Sequence, residues 1–547
     1  ERYKELSKKR KPIPLNCYRF WLFFLTNNSV LEINLLFLPV NKPKSMKKKL
    51  KFIIIFSLLS FSSMYSQNSH FDVKESIKYM DQFKTTKILS SHSTSDELSV
   101  IARKSKYSLV FETFDKQAKG KKIKIIQLSK KESFVGDIFH NNKLQIFMVE
   151  TASKTRRILN CYTYNTKDNT FTKNILLEKN VKKKTALFSG QNKRQTNFSI
   201  SPNKKYIAIA TDNIKKNSNS YDIHVYDAEK LTLIYTKNYF NNLDKYYISS
   251  DMLVSNNAII YSIGKEYKSG KRERKKSKPN YSYVLNKISK DDIKTSSIKL
   301  NEDEYIKSLT MSFYNDQIRL IGYYSRDKVF GIKGVSIFNF DKQNLSAINK
   351  QKQELPVKVF EDLYGYRNAK NKKDSELTSF HLDHTLEDKE GNMYLIAEEF
   401  YMTQTYVSYG VNGGGGFVTT YHYDDLLITK LNKNGNLVWG RSIYKRSNEA
   451  SYNVFLHKDK LHVLLNSGKN LLKKNDGRLK VSKGWFESSS LYLFLYDNNG
   501  NVTHQKIQDN KGKTFYIPYR GSYSKGKFVM YNHSKKRKQV MMLTCLE

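Results

Sequence analysis

Three carboxylates, Asp383, Glu398 and Asp425, are the residues of this chain best suited to acid–base chemistry. Cleavage of a glycosidic bond uses two carboxyl groups that converge across a cleft. These three lie on neighbouring segments, but nothing in their spacing makes them converge. The stretch FHLDHTLED, Phe380 to Asp388, adds His381, His384, Glu387 and Asp388. Read as a strand, it places His381 and Asp383 on one face and His384 on the other. That opposes a shared metal site and favours an inward-facing polar strand. By the same alternation Glu398 and Glu399 point apart, as do Asp424 and Asp425. There is no Gly-x-Ser-x-Gly elbow, no HExxH, no EF-hand loop and no paired CxxC. Neither a metal nor a cofactor is expected.

The most unusual local segment is YVSYGVNGGGGFVTTYHY, Tyr406 to Tyr423. Gly413, Gly414, Gly415 and Gly416 sit among Tyr406, Tyr409, Phe417, Tyr421 and Tyr423. Glycines permit close backbone approach or mobility, and tyrosines offer stacking faces and hydroxyls to sugars or peptides. With Asp425 these residues form the candidate binding site. A flexible insertion of low complexity is an equal reading. It is not a phosphate-binding P-loop, because no Gly-Lys-Ser/Thr and no helix pattern follow.

The elements that must position these groups are strands. Past Gln67 the apolar period is 2 almost throughout. A turn followed by an alternating strand recurs, as in Asn141 to Glu150, Asn203 to Thr211, Asn256 to Ile263, Asn315 to Tyr324, Glu390 to Glu399, Lys458 to Asn466 and Ser524 to His533, with a weaker first copy at Ser105 to Phe114. Most copies follow a short strand and lead into a hairpin. The clearest hairpin is Asp424 to Tyr444, whose turn runs from Asn432 to Gly435. Asn, Asp and Gly supply the positive φ that tight turns need. About four strands per unit and seven or eight units predict an all-β fold, a single β-propeller of four-stranded blades. The last unit lacks a strand after Gln539 to Leu546, so an N-terminal strand, placed at Thr85 to Ser91, is expected to close the ring. Two smaller propellers or sandwiches are the alternative, against which no Pro/Gly/Ser-rich linker divides the region.

Residues 46–66 carry a basic start, an apolar run from Phe52 to Phe61 and a small polar end, the pattern of a secretory signal peptide cut before Gln67. The run is too short for a bilayer, which needs ~20 residues. Residues 1–45 are read as an upstream translated or disordered stretch, with Met46 as the true start. A membrane segment over Phe20 to Val40 is interrupted by Asn27, Asn28, Glu32 and Asn34. The mature chain, 67–547, is therefore expected in the periplasm, on the outer-membrane surface or outside the cell, with no transmembrane span.

Lys and Arg number 95 against 51 acids, a net charge of +44. The first 66 residues hold 13 of the bases and 3 of the acids, which leaves +34 for the rest. The lysines are scattered, with short runs such as Lys271 to Lys278. Solvated turns account for them better than a nucleic-acid surface, and an anionic glycan or an envelope protein is the partner class they allow. Of the three cysteines, Cys17, Cys161 and Cys545, the last two read as isolated strand thiols rather than a bridge.

Two resemblances follow from these residues. KLNKNGNLVW, Lys430 to Trp439, resembles the turn-plus-tryptophan segment of quinoprotein-type propellers, where the Trp packs between blades. Only this unit keeps the Trp, so the resemblance does not imply the quinone. The block from Phe380 to Arg446 resembles uncharacterised secreted proteins of Bacteroidetes, which share the EE-F-Y strand, the Gly/Tyr-rich loop and the K-x-G-x-hydrophobic-W turn. That resemblance implies export but no activity. The leading expectation is a non-catalytic propeller that binds or scaffolds at the cell envelope. The alternative is a secreted hydrolase or lyase acting on polysaccharide or peptide.

Overall fold

In the computed structural model the described residues are 23–26, 29–32 and 69–546, with breaks at 86, 95–96, 129–130, 183, 189–196, 216–217, 241–244, 276–277, 302–303, 327–330, 409–414, 485–486 and 535. The chain separates into two compact units, 1–68 and 69–547. In the first, Phe23–Thr26 pairs with Ser29–Glu32 in a short hairpin. The expected signal peptide at 46–66 lies outside the described residues.

In the second unit the period-2 pattern builds eight consecutive antiparallel sheets that form a β-propeller. Strands a to d of each blade run from the innermost to the outermost. First strands of neighbouring blades touch around the ring, for instance Asn197–Ile200 with Tyr247–Val254. Blade 6 consists of Phe380–Glu387, Met393–Ser408, Gly415–Leu431 and Leu437–Ile443. Blade 7 consists of Tyr452–His457, Lys460–Gly468, Ser489–Tyr496 and Val502–Asp509.

Each blade is covered on both faces by its neighbours, which explains two kinds of strand. Second strands such as Lys143–Thr151 are buried almost end to end. Outer strands such as Ala347–Glu354 alternate between exposed and half-buried positions. The apolar side chains segregate into eight clusters, one between each pair of adjacent blades. Trp439 belongs to the cluster between blades 6 and 7. It stacks on Tyr496 at 5.7 Å and donates its indole N–H to the Asn498 carbonyl at 3.0 Å.

The ring is closed by Phe71–Glu75, which pairs with Val540–Cys545 as the outer strand of blade 8. The closing strand was expected at Thr85 to Ser91. That stretch instead falls in Lys87–Ser93, the innermost strand of blade 1. Phe71 explains the choice, since it buries its ring in the cluster between blades 7 and 8.

Because strands alternate in direction, the a–b and c–d turns lie at one end of the blades. The b–c and d–a connections lie at the other. All a–b and c–d turns are two to five residues long. In the c–d turn of blade 6, Gly435 has φ 90° and donates its N–H to Asn432. A Cβ there would meet the Ile337 side chain at 2.6 Å. Every long insertion belongs to the opposite face. They include the lysine-rich hairpin of blade 4, the ribbon of blade 6, the 469–488 segment of blade 7 and two helices between blades 5 and 6. The helices, α1 (Val357–Tyr364) and α2 (Tyr366–Lys372), did not register in the strand-dominated pattern. Helix α1 buries Val359, Phe360 and Leu363 and holds the outer strand of blade 6 through Asp362 and Arg441, 2.7 Å apart.

Candidate binding face and its acidic base

The two middle strands of blade 6 outrun their sheet. The inner strand follows them only as far as Phe380↔Glu399, and the outer strand only to Leu426↔Ile443. Beyond that, Phe400↔Tyr423 through Ser408↔Gly415 pair with each other, and the bridge Tyr423↔Ser447 and the Phe400 N–H to Ser379 tie down the base. Of the segment expected as a loop from Tyr406 to Tyr423, residues 406–408 and 415–423 thus belong to a two-stranded β-ribbon. The reason lies in its residues: aromatic and β-branched side chains favour extended pairing, and they flank the glycines on both sides. Tyr406 pairs with Phe417, and Gly415 and Gly416 lie inside the returning strand. Tyr409, Gly413 and Gly414 lie outside the described residues.

Cross-strand contacts order the ribbon. On one face Phe400 packs on Tyr423 at 4.9 Å and on Tyr421 at 6.4 Å. Met402 and Tyr421 on that face are 59% and 50% exposed. On the other face Tyr401 stacks on His422 at 4.4 Å, and Thr403 contacts the same imidazole at 2.9 Å.

Where the ribbon leaves the blade, the register shifts between Glu398 and Phe400. Glu399 on one strand faces Asp424 and Asp425 on the other, a β-bulge that sets three acids side by side. Arg446 reaches Asp424 at 2.9 Å and Asp425 at 3.4 Å. The Tyr401 hydroxyl donates to Asp424 at 2.8 Å, and the Lys445 backbone N–H donates to Asp425 at 3.0 Å. Burial, with the Asp425 charge beside it, pushes the Glu399 carboxyl up to about 7. Burial also raises Asp425 to about 6, against the pull of Arg446.

Glu398 turns to the other side and meets Lys445 at 2.9 Å, with side-chain exposures of 10% and 1%. Burial lowers the Lys445 ammonium, and Glu398 partly restores it. Asp383 sits at a second bulge, between Leu382 and His384. The bulge brings His384 Nε2 to 3.3 Å from the Asp383 carboxylate. Alternation had separated these two residues; the extra residue in the strand reunites them. Tyr452 donates its hydroxyl to Asp383 at 2.7 Å. Burial works against the Asp383 charge, but His384, Tyr452 and Lys445 outweigh it and hold the carboxyl below its usual range.

The three candidate carboxylates therefore do gather, around Lys445. Glu398 takes its ammonium, Asp425 its backbone N–H, and Asp383 lies in its field. Each is engaged by a donor or cation of the protein itself. Lys445 and Arg446 were missed as site residues. Their signal was two adjacent cations directly after the outer strand of the most acidic blade segment. Among the described residues no group of three or more His, Cys, Asp or Glu is placed to hold a metal ion. Cys161 and Cys545 are both free, and burial raises each thiol to about 12.

The lysine-rich run forms a hairpin with short strands Arg274–Lys275 and Lys278–Pro279. Its Glu273 anchors it by accepting from Lys265 and Tyr267. Beneath it a cavity of about 240 Å³ opens between blades 4 and 5, lined by Lys268, Lys278, Lys299, Tyr283, Asn301 and Glu304. No helix among the described residues is long and apolar enough to cross a membrane.

No family model matches the sequence, and no curated protein does. Solved structures give weak overlaps. Polysaccharide lyase Uly1 shares 9% identity over 75% of this chain and 90% of the lyase, with a TM-score of 0.37. Prolyl oligopeptidase B from Galerina marginata shares 8% over 94% of this chain and 65% of its own, with a TM-score of 0.39. Acylaminoacyl peptidase from Pyrococcus horikoshii shares 12% over 73% and 57%, with a TM-score of 0.33. This chain spans less than two thirds of the length of either peptidase. All three scores lie below 0.5, too low for the chemistry of those proteins to be read across.

Proposed function

We propose that the chain is an exported, non-catalytic propeller that binds or scaffolds partners at the cell envelope. The working surface is the insertion-bearing face, with the blade 6 ribbon at its centre. The observation that carries this reading is the internal engagement of the candidate carboxylates. A two-carboxylate hydrolase keeps its pair open for substrate and water, whereas Glu398 is closed off by Lys445 and Asp425 by Arg446 and a backbone N–H. The ribbon, by contrast, presents Met402 and Tyr421 to solvent. Export rests on the residue pattern at 46–66, and an envelope protein is the partner class proposed for the ribbon.

The test compares the intact chain with one in which residues 402–421 are replaced by Asn-Gly. Pull-downs from envelope extracts are expected to lose their specific partners in the shortened chain. Identical partners from both chains would remove the ribbon from the function. One observation favours the hydrolase or lyase reading: Glu399 titrates near neutrality, as a general acid or base does. Turnover of a polysaccharide or peptide that Glu399→Gln abolishes would establish that reading instead.

A further inference from the structure

From Phe400 to Tyr423 the chain carries no Asp, Glu, Lys or Arg. The chain as a whole is 27% charged, so a window of 24 residues would hold about six. The uncharged stretch begins directly after Glu398 and Glu399 and ends directly before Asp424 and Asp425. It coincides with the part of blade 6 that has lost both neighbouring strands.

The hydrogen-bond phase of the ribbon can be read from its base. Phe400 donates its N–H outward to the Ser379 carbonyl, and Tyr423 donates outward to Ser447. Phe400↔Tyr423 is therefore a non-hydrogen-bonded pair, and the phase alternates along the ribbon. Met402 and Gln404 then turn their N–H and C=O groups out along one edge. Tyr421 and Thr419, their cross-strand partners, do the same along the other. Among the described residues no strand pairs with either edge beyond those two anchoring bonds. Natural proteins protect such edges with lysine, proline or inward charges. This one has none of them, in a chain with 95 Lys and Arg to draw on.

We propose that the ribbon edge is a self-pairing surface, on which the same edge of a second copy adds as an antiparallel strand. This rests on the binding-face reading above and names a partner for it. A second copy fits for three reasons. A two-fold axis pairs identical edges antiparallel, so alternation and strand length match without any further condition. The uncharged sequence sets no like charges opposite each other. The ribbon also separates the two basic bodies. Nine residues at ~3.3 Å each hold them about 30 Å apart, beyond the ~10 Å screening length at 0.1 M salt. The Met402, Tyr421 and Tyr423 side chains then continue across one face of a four-stranded sheet. The small pairing area makes the dimer concentration-dependent rather than obligate.

Sedimentation velocity of the full chain over a concentration series tests this. The expected result is a mass that moves from one chain toward two as concentration rises. The double variant Met402→Pro plus Tyr421→Pro removes one outward N–H from each edge and no bond within the ribbon. It is expected to weaken association at least tenfold. Met402→Thr plus Tyr421→Thr keeps both N–H groups and is expected to retain association. Gln404→Lys, an edge lysine, is a second disrupting variant that leaves the backbone intact. A single-chain mass at every concentration overturns self-pairing, as does a dimer indifferent to the proline and lysine variants. A monomeric chain whose ribbon still captures envelope partners overturns self-pairing too, while leaving the binding face in place. A foreign uncharged strand is then the occupant.

Discussion

Glu399 is the group whose ionisation the fold opposes most visibly near neutral pH. Its carboxyl is pushed up to about 7 by burial and by Asp425. A carboxyl with a raised folded-state pKa binds its proton more tightly in the native state than in the unfolded one. Between about pH 4.3, the unfolded value, and pH 7 the native state therefore holds more proton, and stability falls as pH rises. Glu399→Gln should raise the melting temperature by roughly 1–2 °C at pH 8, with the gain vanishing near pH 4. Thermal scans at the two pH values check this, and a gain that is larger at acid pH would contradict the assigned burial. The sequence made these acids visible but misplaced them. Strict alternation sends Asp383 and His384, or Asp424 and Asp425, to opposite faces, whereas the first two lie 3.3 Å apart and the second two share Arg446. Each pair sits at a register shift, and one extra residue in a strand leaves no trace in an apolar period.

At the scale of elements, the strands were legible because outer strands such as Ala347–Glu354 show the period openly. The helices were not, since α1 and α2 together are only fifteen residues inside a run of eight blades. The contact that seats α1 is nonetheless specific. A Cβ on Gly440 would meet Val359 at 2.8 Å and Pro356 at 2.9 Å. Gly440→Val should lift α1 from blade 6, loosen Asp362 from Arg441 and cost about 1–3 kcal/mol, the usual range for overpacking. A urea titration should show a lower midpoint with an unchanged slope. The ribbon is the opposite case. Four glycines suggested a loop, yet the chain on either side pairs in register to Ser408↔Gly415. Strand propensity in the flanks decided the structure, and the glycine count did not.

For the molecule as a whole, the spacing of the repeats carried the architecture, one ring of seven or eight blades rather than two smaller domains, and the structure has eight. Closure by an N-terminal strand also followed from the incomplete last unit, but its address did not, because two short strands, Phe71–Glu75 and Lys87–Ser93, both precede the first recurring unit at Ser105. The packing of one ring settles it. Phe71 is 3% exposed between blades 7 and 8. Phe71→Ala should cost about 3–5 kcal/mol. Native-state hydrogen exchange should locate the loss in Val540–Cys545, the strand it clasps. Uniform loss over all blades would mean that the clasp is not a local element. The face assignment follows from the same ring. With turns of two to five residues on one side, only the other side has chain to spare for recognition.

The clasp also sets an order of events in time. Ser76 accepts a hydrogen bond from the Val540 backbone N–H, 464 residues later in the chain. The first strand of the ring to be synthesised is therefore the last to find its neighbour. Folding of this ring cannot finish before Val540–Cys545 has been made, and until then blade 8 stays open. Such distant pairing makes for slow folding, and the unfilled edge of Val540–Cys545 stands exposed until Phe71–Glu75 arrives. A chaperone that shields edge strands would be needed most at that moment, when Val540–Cys545 has been made and one strand is still missing from beside it.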